Sequence, residues 1–147
     1  MKNRFAMAYP TEMESEDRLL DDLATFLEQF DLDPALNHGL TLCISEAFTN
    51  ALKHGNRWDQ SKKVFVDIEV KGDVIIADIT DEGSGALSAI GKRPRPDILA
   101  ESGRGIDFIF RFCPNTELTT APDGGLKVRL TMPRKKTNET VRNISRR

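Results

Sequence analysis

The stretch "SEAFTNALKHG", residues 45–55, carries a carboxylate at Glu46, an amide at Asn50 and an imidazole at His54, each four residues from the next. On an α-helix that spacing stacks side chains along one face, so the three form one polar row. Such a row is ordinarily a solvent-facing stripe. Here its neighbours Cys43, Ala47, Phe48 and Ala51 are apolar or small, which sets the row beside a buried face and lets a ligand come close. The amide oxygen of Asn50 suits Mg²⁺, a hard cation shared between one or two protein oxygens, phosphate oxygens and water. Glu46, one turn away, can take the proton of a hydroxyl that attacks such a phosphate.

Two glycine-bearing motifs extend the same chemistry. "ITDEGSG", residues 79–85, ends a strand at Asp81 and follows it with Gly83 and Gly85. That sets a carboxylate at a sheet edge and lets the backbone approach a ligand closely, although short Asp/Gly clusters also make ordinary turns. "ESGRGI", residues 101–106, precedes a short helix. Gly103 and Gly105 let backbone N–H groups face a phosphate at the helix N-terminus, and Arg104 can neutralise charge on a terminal phosphate. The seventeen residues before it, 86–102, are longer than most connections in compact domains and read as a lid.

The elements that must position these motifs follow from hydrophobic period. "RFAMAYP" alternates Phe5, Met7 and Tyr9 and predicts a strand ending at Pro10. Leu19, Leu20, Leu23, Phe26, Leu27 and Phe30 predict an amphipathic helix over 12–30. Asp33 as cap and Pro34 as first residue open a second helix, running to about His54 with Gly55 as its stop. "KVFVDIEV" places Val64, Val66, Ile68 and Val70 on one side, and "VIIADIT" returns antiparallel after a turn at 71–73. "GRGIDFIFRFC" reads as a short helix, and "TELTTAPDGGLKVRLTM" as a hairpin turning at Asp123-Gly124-Gly125. The order β-α-α-β-β-loop-α-β-β predicts the α+β class: a two-layer α/β sandwich, its mixed, largely antiparallel sheet carrying helices on one face.

Composition sets the outer limits. At 147 residues the chain has room for one core. With 39% hydrophobic and 30% charged residues, it has the balance of a soluble globular protein. No apolar run nears the roughly 18 residues a membrane span needs, and the N-terminus lacks a signal-peptide core, so a cytoplasmic protein is expected. Cys43 and Cys113 lie in apolar segments and read as reduced core residues. Residues 133–147 hold six Arg/Lys and one Glu, a charge of +5, which leaves −7 on the rest of a chain whose total is −2. A body that acidic is a poor surface for nucleic acid. The expected organisation is a folded domain over 1–132 and a basic tail over 133–147 too polar to fold.

Together the three motifs resemble, in order and spacing, the GHKL ATPases, the Bergerat-fold superfamily that includes sensor histidine kinases and gyrase. "EAFTNALKHG" resembles the N box, "DEGSG" the first glycine box and "SGRGI" the second. The short length, "NALKHGN" and "ESGRGIDFI" are most similar to the bacterial anti-sigma factor branch, whose members are serine-protein kinases. The resemblance covers roughly residues 5–132. It implies a Bergerat fold with an ATP lid over 86–102, ATP and Mg²⁺ as ligands, and Glu46 as the base for a serine hydroxyl. It further implies Asn50 as Mg²⁺ ligand, Lys53 and His54 near the phosphates, and Asp81 as acceptor for the adenine amino group, with Gly83 and Gly85 letting the base sit close. Gly103, Arg104 and Gly105 would wrap the β- and γ-phosphates, with Ile106 opening the helix behind them. Lys92, Arg93 and Arg95 either draw the triphosphate in or stay solvated.

The implied partners are a sigma factor or related regulator and a STAS-domain antagonist; family analogy also favours a homodimer, with no direct nucleic acid and no membrane. One departure stands out. The family's last strand commonly begins Gly-Thr-Thr, whereas Leu126 and Lys127 occupy the threonine places here. The alternative function is an ATP-binding module that sequesters its partner without kinase turnover. A histidine-kinase fragment fits worse, since no phosphoacceptor helix pair is present and His38 is followed by "GLTL".

Overall fold

Strand β2 (Lys63–Val70) shows why the chain folds in two layers: Val64, Val66, Ile68 and Val70 are buried, while the residues between them are exposed or half-buried. Period-two alternation gives one face to a core and the other to water. The computed structural model describes residues 2–84 and 106–134. Its other strands are β1 (Arg4–Pro10), β3 (Val74–Thr80), β4 (Glu117–Thr120) and β5 (Leu126–Pro133); the helices are α1 (Glu14–Glu28), α2 (Pro34–Asn50) and α3 over residues 106–112. The strand order is β1-β2-β3-β5-β4, and every described pairing is antiparallel. Met7, Val66, Ile79 and Val128 line up across the first four strands.

The helices supply the other half of the core. Leu19, Leu23, Phe26 and Leu27 of α1 and Leu40, Ile44 and Phe48 of α2 are buried, each set recurring at helical spacing. Tyr9 joins the layers: its ring meets Phe48 edge-on at 5.5 Å, and its hydroxyl donates to Asp22 at 2.6 Å. Met7, which alternates with Phe5 and Tyr9, is 46% exposed, since β1 lies at one edge of the described sheet. Gly39 of α2 lets α3 dock, since a Cβ there would lie 1.9 Å from the Phe112 ring. The two cysteines are free and buried as expected, and burial pushes the Cys43 thiol up to about 12. Among the described residues no helix is long and apolar enough to cross a membrane. Trimming one methylene from the core centre by Ile44→Val is expected to cost about 1 kcal/mol, read as a lower urea midpoint at unchanged slope.

Candidate active site

Helix α2 begins as its sequence requires. The Asp33 carboxylate accepts the Ala35 and Leu36 N–H groups, and Pro34 sits in the first turn. Its other end differs from expectation. The α-helix ends at Asn50 and the chain continues through a π-helical turn, Ala51–Gly55, closed by the Asn56 N–H to the Ala51 carbonyl at 2.8 Å. Glu46 and Asn50 therefore share an α-helical face, while His54 sits on a wider turn. Such turns hold an extra residue and recur at functional sites.

Gly55 also has a different reason from the left-handed stop its position suggests. Among the described glycines only Gly124, in the last hairpin turn, has a positive φ, 99°. The left-handed residues after α2 are Arg57 (φ 50°) and Trp58 (φ 60°). Gly55 is required by contact: a Cβ on it would lie 2.0 Å from Asp81 Oδ2.

Asp81 follows β3 and is 2% exposed. Its Oδ1 accepts the Gly83 N–H at 2.9 Å and the Leu126 N–H at 3.0 Å, and its own N–H donates to the Leu126 carbonyl. Oδ2 lies against Gly55 and accepts no hydrogen bond from the described residues. Two more glycines close round this carboxylate. A Cβ on Gly83 would lie 2.1 Å from the Gly55 carbonyl oxygen, and one on Gly125 would lie 2.0 Å from that of Asp81. Burial raises the Asp81 carboxyl above its ordinary value, opposed by the Leu126 and Gly83 N–H groups, with nearby Asp123 adding to the rise. A raised folded pKa means the native chain binds the extra proton between the ordinary and the folded values, so this group's stabilisation is lost as pH rises through that window. Asp81→Asn is therefore expected to have a higher Tm than the wild type at neutral pH, the gap closing on acidification, which calorimetry across pH measures.

Asp81 lies in the wall of a cleft that opens to solvent at its mouth. The end of α2 supplies Asn50, His54 and Gly55 to its wall; Ile79, Leu118, Leu126 and Val128 form an apolar floor, and Ile106 and Phe110 of α3 the far side. Of the residues singled out in the sequence, Asn50, His54, Asp81 and Ile106 meet here. Gly83 supports Asp81 from behind, Glu46 stands one turn of α2 before Asn50, and Lys53 is exposed and does not line the cleft. Gly85, Gly103, Arg104, Gly105 and the lid segment with Lys92, Arg93 and Arg95 lie outside the described residues. Leu126 contributes its backbone N–H, which any residue but proline supplies, whereas Lys127 faces the opposite side of the sheet and pairs with Asp78 at 3.4 Å.

A buried carboxylate, an amide and an imidazole thus stand round one apolar cleft beside the antiparallel sheet. The histidine kinase-like ATPase domain matches residues 9–132. The chain belongs to this family. Among curated relatives of this ATPase chain, the anti-sigma F factor of Oceanobacillus iheyensis is 31% identical over 150 residues, covering 97% of this chain and all of the relative. The anti-sigma F factor of Bacillus subtilis is 28% identical, over 89% of this chain and 92% of the relative. In three dimensions the fold resembles the crystal structure of the RsbU and RsbW domains of Rv1364c from Mycobacterium tuberculosis, with a TM-score of 0.66 at 17% identity. That likeness covers 88% of this chain and 32% of the other.

Proposed function

We propose that this ATPase-domain protein is an ATP-dependent serine-protein kinase acting as an anti-sigma regulatory factor. It binds a sigma factor or comparable regulator and phosphorylates a serine on a STAS-domain antagonist. The observation that carries the reading is the buried Asp81 carboxylate, with one oxygen tied to two backbone N–H groups and the other facing no donor among the described residues. An unpaired buried acceptor is costly, and the adenine amino group is a donor that fits it. The apolar floor suits the purine faces, and Asn50 and His54, on the α2 side of the same cleft, suit the phosphates.

The donor set also fits Mg²⁺, with the Asn50 amide oxygen as the ligand that would hold it; when bound, the ion would neutralise phosphate charge. Glu46 takes the proton of the antagonist's serine as its Oγ–Pγ bond forms. The bond from Pγ to the bridging oxygen breaks, and ADP leaves with that electron pair. Gly103, Arg104 and Gly105 are assigned to the β- and γ-phosphates, and Lys53 to their outer approach. The protein's part is placement and charge, which is most of what phosphoryl transfer asks. Sequence similarity to anti-sigma F factors along nearly the whole chain supports the regulatory role.

Nucleotide melting curves test the site. Mg·ATP at about 100 times its Kd is expected to add roughly 2.7 kcal/mol of stability, with Mg·GTP giving a much smaller shift. Equal shifts from both, or none from either, would remove the assignment of Asp81.

A further inference from the structure

Asn56 follows the π-helical turn and is 1% exposed. Its amide is fully used, and by three separate parts of the chain. Nδ2 donates to Thr11 Oγ1, just after β1, and to the Lys63 carbonyl at the start of β2, both at 3.0 Å. Oδ1 accepts the N–H of Glu82, the residue after Asp81, at 2.8 Å. The circuit then closes, because Glu82 Oε1 accepts the Lys63 N–H at 2.7 Å. Thr11 is tied in as well, its hydroxyl donating to the Lys62 carbonyl at 2.6 Å. Two donors and one acceptor on one planar group are what an amide offers and a carboxylate does not.

This ring stands directly behind the cleft. Gly55, adjacent to Asn56 in sequence, packs on Asp81, and Glu82 and Gly83 form the turn that holds Asp81 Oδ1. We infer that Asn56 is a positioning residue: it fixes the Asp81 turn against the end of α2, so that the base-recognising and phosphate-facing sides of the cleft keep one geometry. The geometric half stands without a nucleotide; the binding half rests on the function proposed above. Without the amide, Glu82 loses its link to α2 while the sheet ladder from β1 to β5 keeps its own hydrogen bonds.

Hydrogen exchange on the nucleotide-free full chain reads the geometric half. In Asn56→Ala, and in Asn56→Ser, whose hydroxyl is too short to span to Glu82, the Gly83 and Leu126 amides are expected to exchange roughly tenfold faster relative to the sheet centre. Thr11→Val, which removes the hydroxyl branch on Asn56 but leaves the Asn56–Glu82–Lys63 ring closed, keeps those two amides near the wild-type rate. The binding half is read as the ratio of ATP to GTP affinity, expected to fall roughly tenfold in the Asn56 variants and to hold in Thr11→Val. A uniform rise in exchange across the sheet with an unchanged nucleotide ratio would overturn the inference and leave Asn56 a stabilising residue only. A wild type that binds no nucleotide would sink the proposed function, while the exchange pattern would still decide the role of Asn56.

Discussion

Glu46→Ala is expected to abolish phosphoryl transfer while leaving Mg·ATP binding close to the wild-type level. General base catalysis contributes roughly 10²–10⁴ in rate, so residual transfer should fall near background. Binding survives because Glu46 does not line the cleft and makes no hydrogen bond or ion pair among the described residues. Its removal leaves no buried partner unsatisfied, and the fold should shift by no more than about 0.5 kcal/mol. The separation of kcat from affinity is the informative part. Single-turnover assays with parallel calorimetric titration measure both, and a variant that loses binding along with transfer would show Glu46 to be a structural residue.

Gly55→Ala should damage the site from the opposite direction, through shape. A single methyl group would lie 2.0 Å from Asp81 Oδ2 and 2.3 Å from Asp81 Cγ, far inside contact distance. Asp81 cannot swing aside freely, since its Oδ1 is held by two N–H groups and Gly125 leaves no room behind its carbonyl. Overpacking of this kind costs about 1–3 kcal/mol, and in the proposed binding mode the displaced carboxylate would no longer meet the base. Nucleotide affinity is expected to fall by roughly tenfold to a hundredfold, the equivalent of one or two well-placed hydrogen bonds. Titration with ATP checks this, and wild-type affinity in a folded Gly55→Ala protein would mean that Asp81 Oδ2 does not face the ligand.

Gly55 also shows where reading the sequence stops. Its place after an apolar helix predicts a helix end; the α-helix ends at Asn50, and Gly55 closes the π-helical turn that follows. The reason lies 26 residues further on, in Asp81, and no local pattern reveals it. The strands, the Asp33 cap and the hairpin at Gly124 are legible because their causes are local: alternation, a capping side chain, a positive φ. The π-helical turn is not, because five-residue and four-residue turns present the same residue types. Leu126 marks a second limit. As a side chain it departs from the threonine that the resemblance implies, but its contribution to Asp81 comes from the backbone. That backbone is brought into place by the β3–β5 register, in which Thr80 faces Lys127. Asn56 closes the "NALKHGN" stretch, yet the motif assigns it no role, since an Asn after a helix looks like loop. Its burial, and not its type, marks it.

The most direct test of the central claim is a transfer assay with the full chain, Mg·[γ-³²P]ATP and a STAS-domain protein from the same organism, with the modified residue located by mass spectrometry. A single phosphoserine on the STAS protein is expected with the wild type and none with Glu46→Ala. A stable complex in which neither form transfers phosphate would contradict that claim, and would make this ATPase fold a nucleotide-dependent sequestration module.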